Sequence, residues 1–149
     1  MRMKSIITKD QIQSVAEKLL RSAKDLRNQT KSVMATAITL SGDLGAGKTT
    51  LTQRLATLLG VKEHVISPTF VIMKKYKTTD NVFKNLIHID TYRLDKSSEL
   101  ENLGWQELRS NPDNLIILEW PERVPEIAET ADIAVLLEHV DEETRSVEF

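Results

Sequence analysis

Apolar positions along the first part of the chain recur three or four residues apart. Ile12, Val15, Ala16, Leu19, Leu20, Ala23 and Leu26 line one face, so residues 10–27 predict an amphipathic helix. Ile6 and Ile7 before it read as a short strand, and Thr8 and Gln11 stand at capping-box spacing. Residues 28–32 are polar and read as a loop. The period then changes. Residues 33–40 predict a strand, followed by a glycine-rich turn from Gly42 to Gly47 and a helix over 48–59. Gly60 is placed to end that helix.

The second half repeats the alternation. Ser67-Pro68-Thr69-Phe70 reads as a stiff loop. Strands are expected over 71–77 and 83–92, with turn residues at 78–81 between them. In the second of these, Ile87 and Ile89 share one face while His88 and Asp90 share the other. Short helices are expected across 97–108, broken near Gly104. Leu115 to Leu118 is unbroken apolar sequence, as in a strand covered on both faces. Residues 133–137 are similar, and the tail after Asp141 is expected to turn back as a last short strand. The pattern predicts an α/β fold with a mainly parallel central sheet flanked by helices. At 149 residues the chain is expected to form a single domain.

Composition narrows the function classes. The chain is 40% hydrophobic and 28% charged, the balance of a soluble globular protein. No apolar run approaches the ~18 residues of a membrane helix, so no membrane partner is expected. The N-terminal stretch lacks the apolar segment of a secretory signal. Cysteine is absent, which excludes disulfides, thiolate metal sites and thiol catalysis, and fits a cytoplasmic location. His64, His88 and His139 are too scattered for a metal cluster. The net charge is −2, but it is uneven: residues 1–93 hold 16 Lys and Arg against 7 Asp and Glu, while residues 94–149 hold 4 against 15. Two solvated faces explain this most simply. A basic half facing phosphates is the sharper alternative.

Gly42-Asp43-Leu44-Gly45-Ala46-Gly47-Lys48-Thr49 fits G-x-x-x-x-G-K-[ST] at every fixed position. A triphosphate needs hydrogen-bond donors from many directions. Glycines let successive N–H groups turn inward as an anion nest, and the helix starting at Lys48 adds its unpaired N–H groups and positive dipole end. Lys48 is expected to reach the β- and γ-phosphates. Thr49 is expected to bind Mg²⁺, and Thr50 to donate to the α-phosphate. A strand before the motif and a helix after it supply the required context.

A magnesium ion usually takes one or two protein oxygen ligands, and in phosphate-loop proteins the acid sits at the end of a neighbouring apolar strand. Glu119 and Asp90 both end such strands. Glu119 follows the more apolar one and is assigned to the metal. Asp90 is then free to orient the attacking water or to hold a switch residue. Thr69 lies between the glycine-rich loop and the second carboxylate, and its hydroxyl is a candidate to meet Mg²⁺ or the γ-phosphate. Trp105 and Trp120 read as core or site wall, with partner anchoring as the alternative. Lys74, Lys75 and Lys77 read as a solvated strand edge, with RNA contact as the alternative.

SGDLGAGKTTLTQ, SPTF, HIDTYRL and IILEWPE occur in this order. Together they resemble the TsaE (YjeE) family, bacterial P-loop ATPases of tRNA threonylcarbamoyladenosine synthesis, and the resemblance runs from about Ile6 to Arg145. It implies ATP hydrolysis that drives the cycle of two partners, TsaB and TsaD, rather than the carbamoyl transfer itself. The product is modified at adenosine 37 of tRNAs that read codons starting with A. It further implies that Leu44, Gly45, Ala46, Gly47, Lys48, Thr49 and Thr50 hold the phosphates and that Thr49 and Glu119 hold Mg²⁺. Lys48, Asp90 and Thr69 then fall on catalytic and switch positions, and Gln11 and Arg145 on the nucleotide base.

Rival functions lack their marks. Neither Asn-Lys-x-Asp nor Asp-x-x-Gly occurs after the switch, which argues against a regulatory GTPase. Beyond residue 93 the only cations are Lys96, Arg109, Arg123 and Arg145, too dispersed for the arginine-rich lid of a small-molecule kinase. A binding module without turnover is the third alternative. Arg93 is the arginine nearest to Asp90 in sequence. No arginine finger is evident in the chain, so slow hydrolysis is expected without a partner.

Overall fold

The computed structural model describes residues 2–30, 33–43 and 46–149. Seven strands form one sheet: β1 (Lys4–Thr8), β2 (Thr36–Ser41), β3 (Met73–Lys77), β4 (Asn85–Asp90), β5 (Asn114–Glu119), β6 (Ile133–His139) and β7 (Thr144–Glu148). Their order across the sheet is β1-β7-β6-β2-β5-β4-β3. The centre, β6-β2-β5-β4, is parallel. The edges are antiparallel: β7 and β1 on one side and β3 on the other. The sheet is therefore mixed around a parallel centre, an α/β arrangement.

Helices cover both faces. α1 (Ile12–Thr30) and α2 (Lys48–Leu58) pack on one face over Ile38, Leu40, Leu86, Leu115 and Ile117. On the other, α3 (Ser97–Asn102), α4 (Trp105–Arg109) and α5 (Pro125–Ala128) bring Leu100, Trp105 and Ile127 against Ile87, Ile89, Ile116 and Leu118. Both faces of β4 and β5 are thus buried, which is why Leu115 to Leu118 is unbroken apolar sequence, while the buried polar residues His88, Asp90 and Glu119 lie toward the strands' carboxyl ends. Trp105 belongs to this core.

Element ends follow from where backbone groups find partners. α1 runs through Thr30, past the expected end. The Thr30 hydroxyl bonds the Leu26 carbonyl, and Arg27 Nε bonds the Pro112 carbonyl at 3.2 Å. The last turn is polar because solvent faces it. α2 stops in a paired cap: Val61 N–H meets Ala56 O and Gly60 N–H meets Thr57 O, with Gly60 at φ 78°. β3 begins at Met73 because the N–H groups of Val71 and Ile72 both turn back to Pro68 O. A short 3₁₀ turn over Pro121–Arg123 and the four-residue α5 have no period to read, and each begins at a proline.

Candidate functional site

The carboxyl ends of β2, β4 and β5 converge with the start of α2. At the end of β2 the chain passes so close to β6 that a Cβ on Gly42 would lie 2.0 Å from Leu137 O, so only glycine fits. Gly47, at φ 104°, opens α2. Leu44 and Gly45 lie outside the described residues. Ala46, Gly47, Lys48, Thr49 and Thr50 are brought together at the first turn of α2, where helix N–H groups lack intrahelical partners.

Lys48 is only 6% exposed. Its Nζ donates to Gly42 O at 2.6 Å and lies 3.7 Å from the centroid of the Trp120 ring. Burial pushes its proton affinity below the usual lysine value, against the pull of Glu119, Glu122, Asp90 and Asp43 in the other direction.

Asp90 and Glu119 are Cα partners in the parallel pairing of β4 with β5. Each is 2% exposed. The Asp90 carboxylate has three donors: Ser67 Oγ at 3.1 Å and Thr69 Oγ1 at 3.0 Å on Oδ2, and Tyr92 N–H at 2.9 Å on Oδ1. It therefore anchors the Ser67–Phe70 loop and holds Thr69. Glu119 instead takes His88, with Nε2 at 2.5 Å from Oε2. Trp120, just past β5, walls the site and meets the Tyr92 ring at 5.0 Å.

These groups line one cavity of about 790 Å³. Ala46 to Thr50 supply one part of the wall, and Thr69, Asp90, Glu119 and Trp120 another. Arg145 also lines it, beside Ile7, its cross-strand partner. Gln11 stands apart: its Oε1 accepts the Thr8 N–H at 2.7 Å, and it lines a different groove beside α1. Ile7, Lys9, Ile12, Arg54, Ser67 and Tyr92 also line the cavity, though no motif singled them out as ligands. Arg93 is not among the lining residues, and its guanidinium lies 4.5 Å from the Phe70 ring centroid. Lys74, Lys75 and Lys77 are exposed along the edge strand β3.

Among the described residues, no group of three or more His, Asp or Glu is arranged to hold a metal. Thr49, Asp90 and Glu119 are among the oxygen-bearing side chains of the cavity wall that a cation could meet. Among the same residues, no helix is long and apolar enough to cross a membrane.

The family model described as "Threonylcarbamoyl adenosine biosynthesis protein TsaE" matches residues 7–147. The tRNA threonylcarbamoyladenosine biosynthesis protein TsaE of Haemophilus influenzae is 37% identical over 115 residues, 77% of this chain and 70% of the relative. The protein of the same description from Rickettsia bellii is 32% identical over 136 residues, 87% of this chain and 91% of the relative. The crystal structure of Bacillus subtilus YdiB superposes with a TM-score of 0.69 at 25% identity, covering 100% of this chain and 84% of that one. A match spanning the glycine-rich turn, both strand-end carboxylates and the returning last strand places this chain in the TsaE family.

Proposed function

We propose that this protein is a P-loop ATPase serving the synthesis of N6-threonylcarbamoyladenosine at position 37 of tRNA. It works in the cytoplasm and drives the cycle of TsaB and TsaD partners without carrying out the carbamoyl transfer itself. The observation that carries this reading is the cavity in which Lys48 and Thr49 share walls with Asp90 and Glu119.

The donor chemistry fits ATP with Mg²⁺. The first turn of α2 offers N–H groups to phosphate oxygens. Lys48 has a neutral carbonyl and a ring face as its near partners, and it gains a strong anionic partner on meeting the β- and γ-phosphates. Thr49 and Glu119 present oxygen donors, and a small protein ligand set suits a cation that keeps water and phosphate oxygens. Mg²⁺ held there would supply charge neutralisation on the transferring phosphoryl group. Asp90, held by three donors, keeps lone pairs with which to orient a water. Ile7, Lys9, Ile12 and Arg145 are then the surface offered to the nucleoside.

Arg93 is stacked on Phe70 and is not among the lining residues. The reading therefore expects slow turnover alone and stimulation when a partner supplies or repositions a cation. The test is Mg²⁺-dependent ATP turnover by the chain alone, with TsaB and TsaD, and with tRNA added. Stimulation by the partners supports the reading. Equal rates with and without them, or phosphate transfer to a small metabolite, would overturn it. Lys48→Ala should abolish nucleotide binding or turnover in a protein that still folds.

A further inference from the structure

Thr91 follows β4 directly and has no part in the chemistry above. Its side chain is fully buried. Oγ1 lies 2.8 Å from the Glu119 carbonyl and 2.6 Å from the Trp120 carbonyl, and the Thr91 N–H donates to Glu119 O at 3.2 Å. One hydroxyl thus serves two successive carbonyls of the adjacent strand end.

That contact depends on a local backbone conformation. In an extended strand, successive carbonyls point in opposite directions, and one hydroxyl cannot reach both. Trp120 is instead left-handed, with φ 61° and ψ 52°, a conformation rare for residues with a side chain. It brings the carbonyls on either side of it into similar directions. It also breaks the alternation of β5. Glu119 faces the side of the sheet that carries α2, and an extended residue 120 would face the other side. The left-handed turn lays the indole on the Lys48 ammonium instead, 3.7 Å from the ring centroid. The Trp120 carbonyl also accepts from Arg123 N–H at 3.0 Å, so loss of the Thr91 hydroxyl would loosen the turn without stranding a buried carbonyl.

We infer that Thr91 is a positioning residue: its hydroxyl holds the left-handed turn at Trp120 and so seats the indole on Lys48. The functional consequence rests on Lys48 being the phosphate-binding lysine. The seating itself does not.

The test uses a Trp105→Phe background, in which Trp120 is the sole tryptophan. Acrylamide quenching of its emission reads how firmly the ring is seated. Thr91→Val keeps the shape and removes the donor. The unseated population should grow about fivefold, the shift that one neutral hydrogen bond gives, and quenching should rise with it. Thr91→Ser should restore the original quenching. Lys48→Met should shift the emission in the Thr91 protein and shift it less in Thr91→Val. Unchanged quenching in a cooperatively melting Thr91→Val protein overturns the inference. Thr91→Ala gives the same reading should the valine variant fail to fold. If the quenching responds as expected but the parent protein neither binds nor hydrolyses MgATP, the role of Thr91 stands and the ATPase reading falls.

Discussion

His88 Nε2 lies 2.5 Å from Glu119 Oε2 across the β4–β5 pairing, and both side chains are buried. The other ring nitrogen, Nδ1, is buried with no hydrogen-bond partner among the described residues. A proton on Nδ1 would leave a buried donor unmet. The arrangement that leaves no buried donor unmet has Nε2–H donating a hydrogen bond to the Glu119 carboxylate, the contact that orients a carboxylate for a metal. One oxygen is fixed, and Oε1 is left for a ligand. If Glu119 holds Mg²⁺, His88→Leu should raise the Mg²⁺ concentration needed for turnover by about 10–100-fold, with His88→Gln intermediate. A magnesium titration at saturating ATP measures this, and an unmoved midpoint in a folded leucine variant would count against it.

Asp90 holds Ser67 and Thr69 through one oxygen and the Tyr92 N–H through the other. If it also orients the attacking water, Asp90→Asn should lower kcat by about 10²–10⁴ while MgATP binding changes little. Thr69→Val should show a smaller loss, because Ser67 still anchors the loop. The split between kcat and Kd decides the point. Weakened binding at unchanged kcat would mean that Asp90 serves only to hold the loop.

The parts of the site that the amino-acid pattern disclosed are local ones. The glycine-rich turn depends on residue spacing within a few positions, and Glu119 at the strand end is announced by the apolar run before it. The Thr8–Gln11 spacing was equally local, and Gln11 is indeed tied to the Thr8 backbone, away from the cavity assigned to the nucleotide. What the local pattern does not disclose depends on long-range pairing, although the family resemblance already points to Arg145. Ile7 and Arg145 meet only because β1 and β7, from opposite ends of the chain, pair antiparallel. The mixed character of the sheet comes from both sources: β1 pairs with β7 across the length of the chain, whereas β3 with β4 and β6 with β7 are antiparallel hairpins of strands adjacent in sequence. Trp120 was legible as a site residue. Its left-handed turn was not, because period-two patterning carries no sign of where a strand ends in a turn.

Asp80 sits in the loop between β3 and β4. It accepts from Val82 N–H at 2.9 Å, from Phe83 N–H at 3.0 Å, and from Lys24 Nζ of α1 at 2.6 Å. Burial alone would raise its proton affinity. The bonds from Lys24, Phe83 and Val82 together outweigh that and hold the carboxyl below its ordinary 3.8. The folded value is therefore the lower one. The stability Asp80 brings is whole above 3.8 and is lost as pH falls through the folded value. Asp80→Ala should cost roughly 2 kcal/mol near neutral pH and flatten the acid limb. Urea unfolding at neutral pH and again below 3.8 measures both, and an unchanged acid slope would refute the assignment.

Lys48 carries its buried charge at a cost to the fold. Among the described residues no carboxylate lies within ion-pair distance of its nitrogen, and burial lowers its proton affinity from the usual 10.5 against the pull of Glu119, Glu122, Asp90 and Asp43. Between the folded value and 10.5, the unfolded chain binds more protons than the folded one. Stability should therefore rise with pH across that window. Lys48→Met removes the titrating group, so it should melt a few degrees higher at neutral pH and lose the alkaline rise, while also losing MgATP binding. Melting midpoints of the two proteins from neutral to alkaline pH test this directly. If Lys48→Met melts lower and keeps the same slope, the lysine is a stabilising group and its cavity is not strained by the charge. If it melts higher and still binds MgATP, the charge is costly but the phosphate does not need it. The expected pairing, gained stability with lost binding, is that of a residue placed for a ligand and not for the fold.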